Sequence, residues 1–378
     1  MYTFLSYTTG LVYKNAVKPL LFRISPDTVH EKLILLGQKV QRRKSMLWLL
    51  RKSFAYQHES LTQTVCGINF NNPVGLSAGF DKNFQLPSLL KNIGFGFMEG
   101  GSLTHQPYAG NPRPWFYRLP KTKSLIVYAG LANQGVEKII KRITSYPTSL
   151  FDDFPLNVSI AKTNSKDASS EAKAINDYIQ SVRRINAENI GAFITINISC
   201  PNTYGGEPFT TPKKLSKLLA AIDKERISKP LFVKMPIDIS WKEFDGLLQV
   251  IQLHSVAGVT IGNLAKDRTK VIFKEALPDN IKGNLSGKPT WDLSNELIKK
   301  TYQNYKERFV IIGVGGIFSA EDAYTKIKLG ATLVELITGM IFEGPQVIGQ
   351  INSGLVSLLK RDGYTSIKQA IGASHQDY

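Results

Sequence analysis

Eight short runs rich in β-branched and aromatic residues recur between residues 74 and 337, and their alternation with amphipathic stretches decides the fold class. The runs are 74–77, 97–100, 156–160, 193–198, 231–235, 259–262, 310–314 and 333–337. Helical periodicity marks 171–186, 213–224, 241–254, 293–306 and 320–329 between them. Eight βα units over roughly 300 residues read as an α/β chain, a (β/α)8 TIM barrel rather than a doubly wound sheet. With 43% apolar residues among 378, the chain can fill such a core, which excludes wholesale disorder. The sequence shows no internal repeat and no low-complexity linker.

Barrels of this kind carry their chemistry at the C-terminal ends of the strands, so the residues that close each run are the candidates. Ala78, Gly79 and Lys82 follow the first run and Ser102 the second; Asn197, Cys200 and Asn202 follow or end the fourth. The fifth ends in Lys234, the sixth leads to Asn263, and Gly313–Gly316 and Thr338–Gly339 close the last two. Glycines after strand seven let backbone N–H groups approach an anion, so this corner suits a phosphate; a tight left-handed turn explains the same glycines without a ligand.

Cys200 sits in a short polar loop at this rim, where a stabilised thiolate serves as nucleophile or general base. Cys66 has no such setting and reads as an inert thiol. Two cysteines build no disulfide framework, which fits a reducing compartment. Lys82 and Lys234 would face one pocket and favour an anionic partner, while Asn197, Asn202 and Asn263 suit a planar ligand with alternating C=O and N–H groups. The five histidines are dispersed, so no zinc site is expected.

The net charge of +17 is uneven, with ten Lys/Arg against three Asp/Glu in residues 1–60. No stretch there reaches the ~20 apolar residues of a membrane span. The start at Ser25-Pro26-Asp27 predicts a helix to about Val40, and Met46–Leu50, carrying Trp48 between basic residues, predicts a second short one. This pair reads equally as an interfacial element or as a cap packed on the main domain.

These residues resemble the dihydroorotate dehydrogenases, specifically the membrane-associated, quinone-dependent class 2. The motifs that carry the resemblance are FRISPDTVHE (22–31), NPVGLSAGFDKN (72–83), FGFMEGGSLTHQPYAGNPRP (95–114), NISCPNT (197–203), LSGKP (285–289), IIGVGGI (311–317) and FEGP (342–345). The resemblance implies residues 1–60 as a helical membrane and quinone-tunnel extension and 61–378 as an FMN-binding barrel. It implies FMN contacts at Ala78, Gly79, Ser102, Ser159, Asn197, Lys234, Gly262, Gly287, Gly316, Ile337 and Thr338. It implies dihydroorotate or orotate at Lys82, Asn197, Asn202 and Asn263, with Cys200 as the base and Lys234 stabilising the reduced ring. Ubiquinone or menaquinone would be the acceptor, in UMP biosynthesis, for a monomer lying peripherally on the cytoplasmic face of the cell membrane.

Several positions depart from the family pattern. Class 2 carries Ser as its base, and Cys200 is the habit of class 1. Val127 stands where the family places a substrate-binding Asn, Leu264 replaces a polar substrate neighbour, and Ser159 and Ile337 replace a flavin-side Asn and Tyr. The loop Tyr204–Phe209 also differs. These departures motivate an alternative, a related FMN barrel that oxidises another cyclic amide or uses a soluble acceptor. A tRNA dihydrouridine synthase would want a C-terminal RNA-binding domain, for which the residues after Met340 are too few, and the positive excess sits at the other end. No nucleic-acid partner is expected. A barrel that merely scaffolds partners would leave the Cys–Asn–Lys rim unexplained.

Overall fold

The computed structural model describes residues 2–204 and 206–375, so Gly205, in the loop beyond Cys200, lies outside the described residues. Eight parallel strands close into a barrel: β1 (Val74–Leu76), β2 (Phe97–Leu103), β3 (Leu156–Ile160), β4 (Phe193–Asn197), β5 (Leu231–Met235), β6 (Gly258–Ile261), β7 (Val310–Val314) and β8 (Leu333–Leu336), with β8 beside β1. All eight expected runs are barrel strands, and their ends agree with expectation to within a few residues. Nearly every strand residue is buried, because helices cover the outside and interdigitated side chains fill the inside.

A hairpin of Gln63–Val65 and Ile68–Phe70 plugs the N-terminal end of the barrel. Phe70 packs edge-on against Phe97 at 5.3 Å between centroids, and Phe193 meets Phe232 at 5.4 Å, so this end is closed by aromatic packing. At the opposite end lies an antiparallel sheet of Phe116–Leu119, Ser124–Val127 and Asn284–Leu285, which periodicity did not predict. Its strands are two to four residues long, too short for an alternation to register.

The first sixty residues hold more helix than the two short elements expected. The helices are α1 (Tyr2–Val12), continued through a π-helical stretch Tyr13–Val17 into α2 (Lys18–Phe22), then α3 (Pro26–Gln41) and α4 (Lys44–Phe54). The Thr- and Ser-rich start of α1 has little intrinsic helix preference; tertiary contacts with the helix Val347–Arg361 hold it. Gln350 Nε2 donates to the Ser6 carbonyl at 3.0 Å, and Tyr13 Oη donates to the Ile341 carbonyl at 2.7 Å. Ser25 occupies the N-cap of α3 without a side-chain bond. Asp27 in the first turn is instead buried and accepts the Trp115 N–H at 3.1 and 3.2 Å, tying α3 to the sheet over the mouth. Gly37 lets α3 settle on the helix Pro87–Asn92, where a Cβ would meet Leu86 at 2.7 Å.

Candidate active site

One cavity of about 590 Å³ runs from the open barrel end to the N-terminal helices, a size suited to a cofactor and substrate together. Cys200, Lys82, Lys234, Asn197, Asn202 and Asn263 all line it. So do Ala78, Gly79, Ser102, Gly262, Gly287, Gly316, Ile337 and Thr338. Ser159 stands one layer back, with its Oγ 2.8 Å from Ser102 Oγ.

The polar rim is a connected network rather than a set of isolated groups. Asn197 Nδ2 donates to Ser102 Oγ at 2.8 Å, and its Oδ1 accepts the Ser199 N–H at 3.2 Å. Asn263 Nδ2 donates to Ser199 Oγ at 2.8 Å, and Ser199 Oγ donates to the Lys234 carbonyl at 2.8 Å. Strands β2, β4, β5 and β6 are thereby locked in one arrangement at their C-terminal ends. Asn202 Nδ2 donates to the Val127 carbonyl at 2.9 Å, joining the Cys200 loop to the sheet over the mouth. Such fully connected buried polar networks fix side-chain geometry.

Below this rim lies a charge cluster that motif reading overlooked. Lys234 Nζ bonds Glu99 Oε2 at 3.0 Å and Ser77 Oγ at 3.1 Å. Glu335 is fully buried beside them, and neither of its carboxyl oxygens nor Glu99 Oε1 has a hydrogen bond. Burial, reinforced by the Glu99 charge, holds the Glu335 carboxyl well above the usual glutamate range. Burial also pushes Glu99 up, but the Lys234 charge and the hydrogen bonds to the carboxylate together outweigh it and keep Glu99 ionised. Lys234 in turn stays protonated: burial acts against its charge, and the attraction and hydrogen bond of Glu99, with smaller help from Glu335 and Cys200, together exceed that penalty. The signal was present in the sequence as two glutamates inside otherwise apolar strands.

Cys200 is half-buried and touches the cavity. Its surroundings push the thiol up to about 11, chiefly by burial, against the opposing pull of the Asn202 N–H and of Lys162 and Lys234. Lys162, a residue that motif reading also missed, is buried and donates to the Tyr204 carbonyl at 3.1 Å, bracing the Cys200 loop. Lys82 lies 5.2 Å from the Phe116 ring centroid, and burial, only partly offset by Asp81 and Asp27, lowers its ammonium to about 8.

The far arm of the cavity is apolar and passes Leu33, Leu36 and Leu50 of α3 and α4. Its polar groups include His30 and Arg118. His30 packs edge-on against Phe80 and Phe116, and burial, helped by the Lys82 charge, drops it to about 3, so it is neutral. Arg118 donates to the Ile24 carbonyl at 2.7 Å and stacks on Phe22. Among the described residues no group of His, Cys, Asp and Glu is placed to hold a metal ion.

A model of the family described as dihydroorotate dehydrogenase matches residues 60–359. Dihydroorotate dehydrogenase (quinone) of Nostoc punctiforme is 34% identical, over 96% of this chain and 98% of that protein. The protein of the same name from Acaryochloris marina is 31% identical over 96% of this chain and 99% of its own length. Among solved structures, DHODH in complex with ferulenol from Eimeria tenella superimposes with a TM-score of 0.80 at 26% identity, covering 93% of this chain and 96% of that one. The match to the family extends over the barrel, the Cys200 loop and the glycine turn Gly313–Gly316, and the relatives extend it through the N-terminal helices: the chain belongs to the dihydroorotate dehydrogenase family.

Proposed function

We propose that this chain oxidises dihydroorotate to orotate at the Cys200 rim and passes the electrons to a quinone, a step of UMP biosynthesis. The observation that carries this reading is the single cavity with a Cys–Asn–Lys rim at one end and an apolar arm at the other. One compartment thus offers two chemically different places, one for a polar ring and one for a lipid-like oxidant.

The residues present fit FMN. Gly287 (φ +77°) and Gly316 (φ +73°) adopt left-handed backbone at the cavity wall, and added Cβ atoms would strike the Lys123 carbonyl and Trp291, respectively. Beside them Ser286 Oγ and Thr338 Oγ1 lie 2.9 Å apart, at the corner where barrels of this class hold a phosphate. FMN, when bound, supplies the hydride acceptor. Lys234 would hold positive charge near the ring, and Glu99 keeps that ammonium charged and oriented. Asn197, Asn202, Asn263 and Lys82 would orient the dihydroorotate ring and its carboxylate. Cys200 would take the C5 proton as thiolate, and C6 gives up the hydride.

The apolar arm would admit ubiquinone or menaquinone, with neutral His30 and the Arg118 guanidinium available to a quinone carbonyl. Residues 1–60 act as the membrane extension and 61–378 as the catalytic barrel. Trp48 and Leu49 of α4 and Leu35 and Leu36 of α3 are exposed next to Arg42, Arg43 and Lys44. Apolar side chains beside a basic cluster suit the anionic cytoplasmic leaflet. Among the described residues no helix is long and apolar enough to cross a membrane, in keeping with peripheral docking. One chain supplies every group at the rim, which supports a monomer. Val127 and Leu264 on the cavity wall favour a second reading, an FMN barrel acting on another cyclic amide.

The deciding experiment is anaerobic mixing of the purified yellow protein with dihydroorotate. Bleaching of the flavin band, restored by a short-chain quinone, is the expected result. A flavin that stays oxidised would overturn the dihydroorotate assignment and leave the second reading.

A further inference from the structure

The structure assigns to Asn284 the role of positioning residue that sets which face of the Asn202 carboxamide the substrate meets. This deepens the reading above and rests on it. Asn284 pairs with Val127 across the antiparallel sheet at the mouth, and directly opposed residues project to the same side. Its Nδ2 donates to Asn202 Oδ1 at 2.7 Å, while Asn202 Nδ2 donates to the Val127 carbonyl at 2.9 Å. The two bonds act at opposite ends of one amide. A donor on the oxygen side and an acceptor on the nitrogen side leave only one orientation of the group.

Asn202 is anchored at its backbone as well, since its carbonyl accepts Asn111 Nδ2 at 3.0 Å. A primary amide carries two N–H groups, and one of those on Asn202 is spent on Val127. The second N–H is left for the cavity, so the substrate must bring an acceptor there: a ring carbonyl or a carboxylate oxygen. The Val127 side chain on the same wall offers neither donor nor acceptor, and recognition at this corner falls on the oriented Asn202. Without the Asn284 donor nothing would distinguish the two ends of the Asn202 amide except the Val127 carbonyl. A flipped amide would turn a C=O toward an incoming C=O.

Asn284→Ala and Asn284→Asp test this in the flavin-loaded full chain. Aspartate is near-isosteric but acceptor-only, so it demands the reversed Asn202 amide. Orotate affinity, read from the perturbed flavin spectrum, should fall about tenfold in Asn284→Ala and further in Asn284→Asp, the loss expected for one directed hydrogen bond. The KM for dihydroorotate should rise in step, with kcat at saturation, flavin content and quinone KM unchanged. Orotate binding equal to wild type in Asn284→Ala would overturn the assignment. So would a loss of flavin content together with a rise in quinone KM, which marks a general loss of structure. A wild-type chain that binds no orotate would instead remove the dihydroorotate reading itself.

Discussion

Glu99 Oε2 stands 3.0 Å from Lys234 Nζ with both side chains shut away from solvent, and a second carboxyl group, Glu335, lies in the same enclosure. Two acids and one ammonium cannot all be charged there, so Glu335 keeps its proton and acts as a reserve counter-ion. Glu335→Gln, which replaces a neutral acid by a neutral amide, should leave stability nearly unchanged below pH 4.5 and raise it above that, where the unfolded wild-type chain gains by ionising. Glu99→Gln should cost less than the ~3–5 kcal/mol typical of breaking a buried ion pair, because Glu335 can ionise in its place. In the Glu335→Gln background, Glu99→Gln should cost that full amount. Denaturant unfolding of the four proteins checks the cycle, and simple additivity would refute it.

The same carboxyl group gives a pH signature. The unfolded chain releases the Glu335 proton near the ordinary value of 4.5, whereas the folded chain retains it to higher pH. Stability from this group is therefore present below 4.5 and declines as pH rises toward the raised folded value. Glu335→Gln should flatten that decline above about pH 4.5, as read from melting temperature against pH.

A Cys200 thiol held near 11 is mostly protonated at neutral pH. The rate of flavin bleaching by dihydroorotate should therefore climb about tenfold per pH unit and show no plateau below about pH 9. Cys200→Ala should keep its bound flavin and lose ~10²–10⁴-fold in that rate. Stopped-flow measurements across pH distinguish this from a base with an ordinary thiol value, which would level off earlier.

His30 at about 3 carries no charge in the working range. Quinone reduction should thus show no histidine inflection between about pH 5 and 8. His30→Ala should raise the quinone KM about fivefold to tenfold, as expected for a lost neutral hydrogen bond, while leaving orotate binding intact.

Trp48→Ser with Leu49→Ser should weaken co-sedimentation with anionic vesicles, since each exposed apolar side chain contributes about 1.5–3 kcal/mol when buried. Dihydroorotate oxidation with a soluble dye as acceptor should be unaffected. Undiminished vesicle binding would place the docking surface elsewhere.

The barrel was legible because its strands are uninterrupted β-rich runs whose period does not depend on distant partners. The rim was legible because strand ends are fixed once the strands are. Asn284 was not: it sits on a two-residue strand whose partner is more than 150 positions away, and local pattern holds no trace of that pairing. Helix α1 escaped for a related reason, since its helicity comes from packing on residues near the other end of the chain rather than from propensity. Glu99 and Glu335 were visible as letters, but their mutual proximity depends on closure of the barrel.

The bond from Tyr13 to the Ile341 carbonyl spans 328 positions, and Lys14 pairs with Glu343 just beyond it. During synthesis the first helices can pack on one another and on Pro87–Asn92 early, but the bonds of Tyr13 and Lys14 must wait for the closing βα units of the barrel. The two ends of the chain therefore lock together last, and the wall of the cavity near Tyr13 and Ile341 is finished only when synthesis is nearly over.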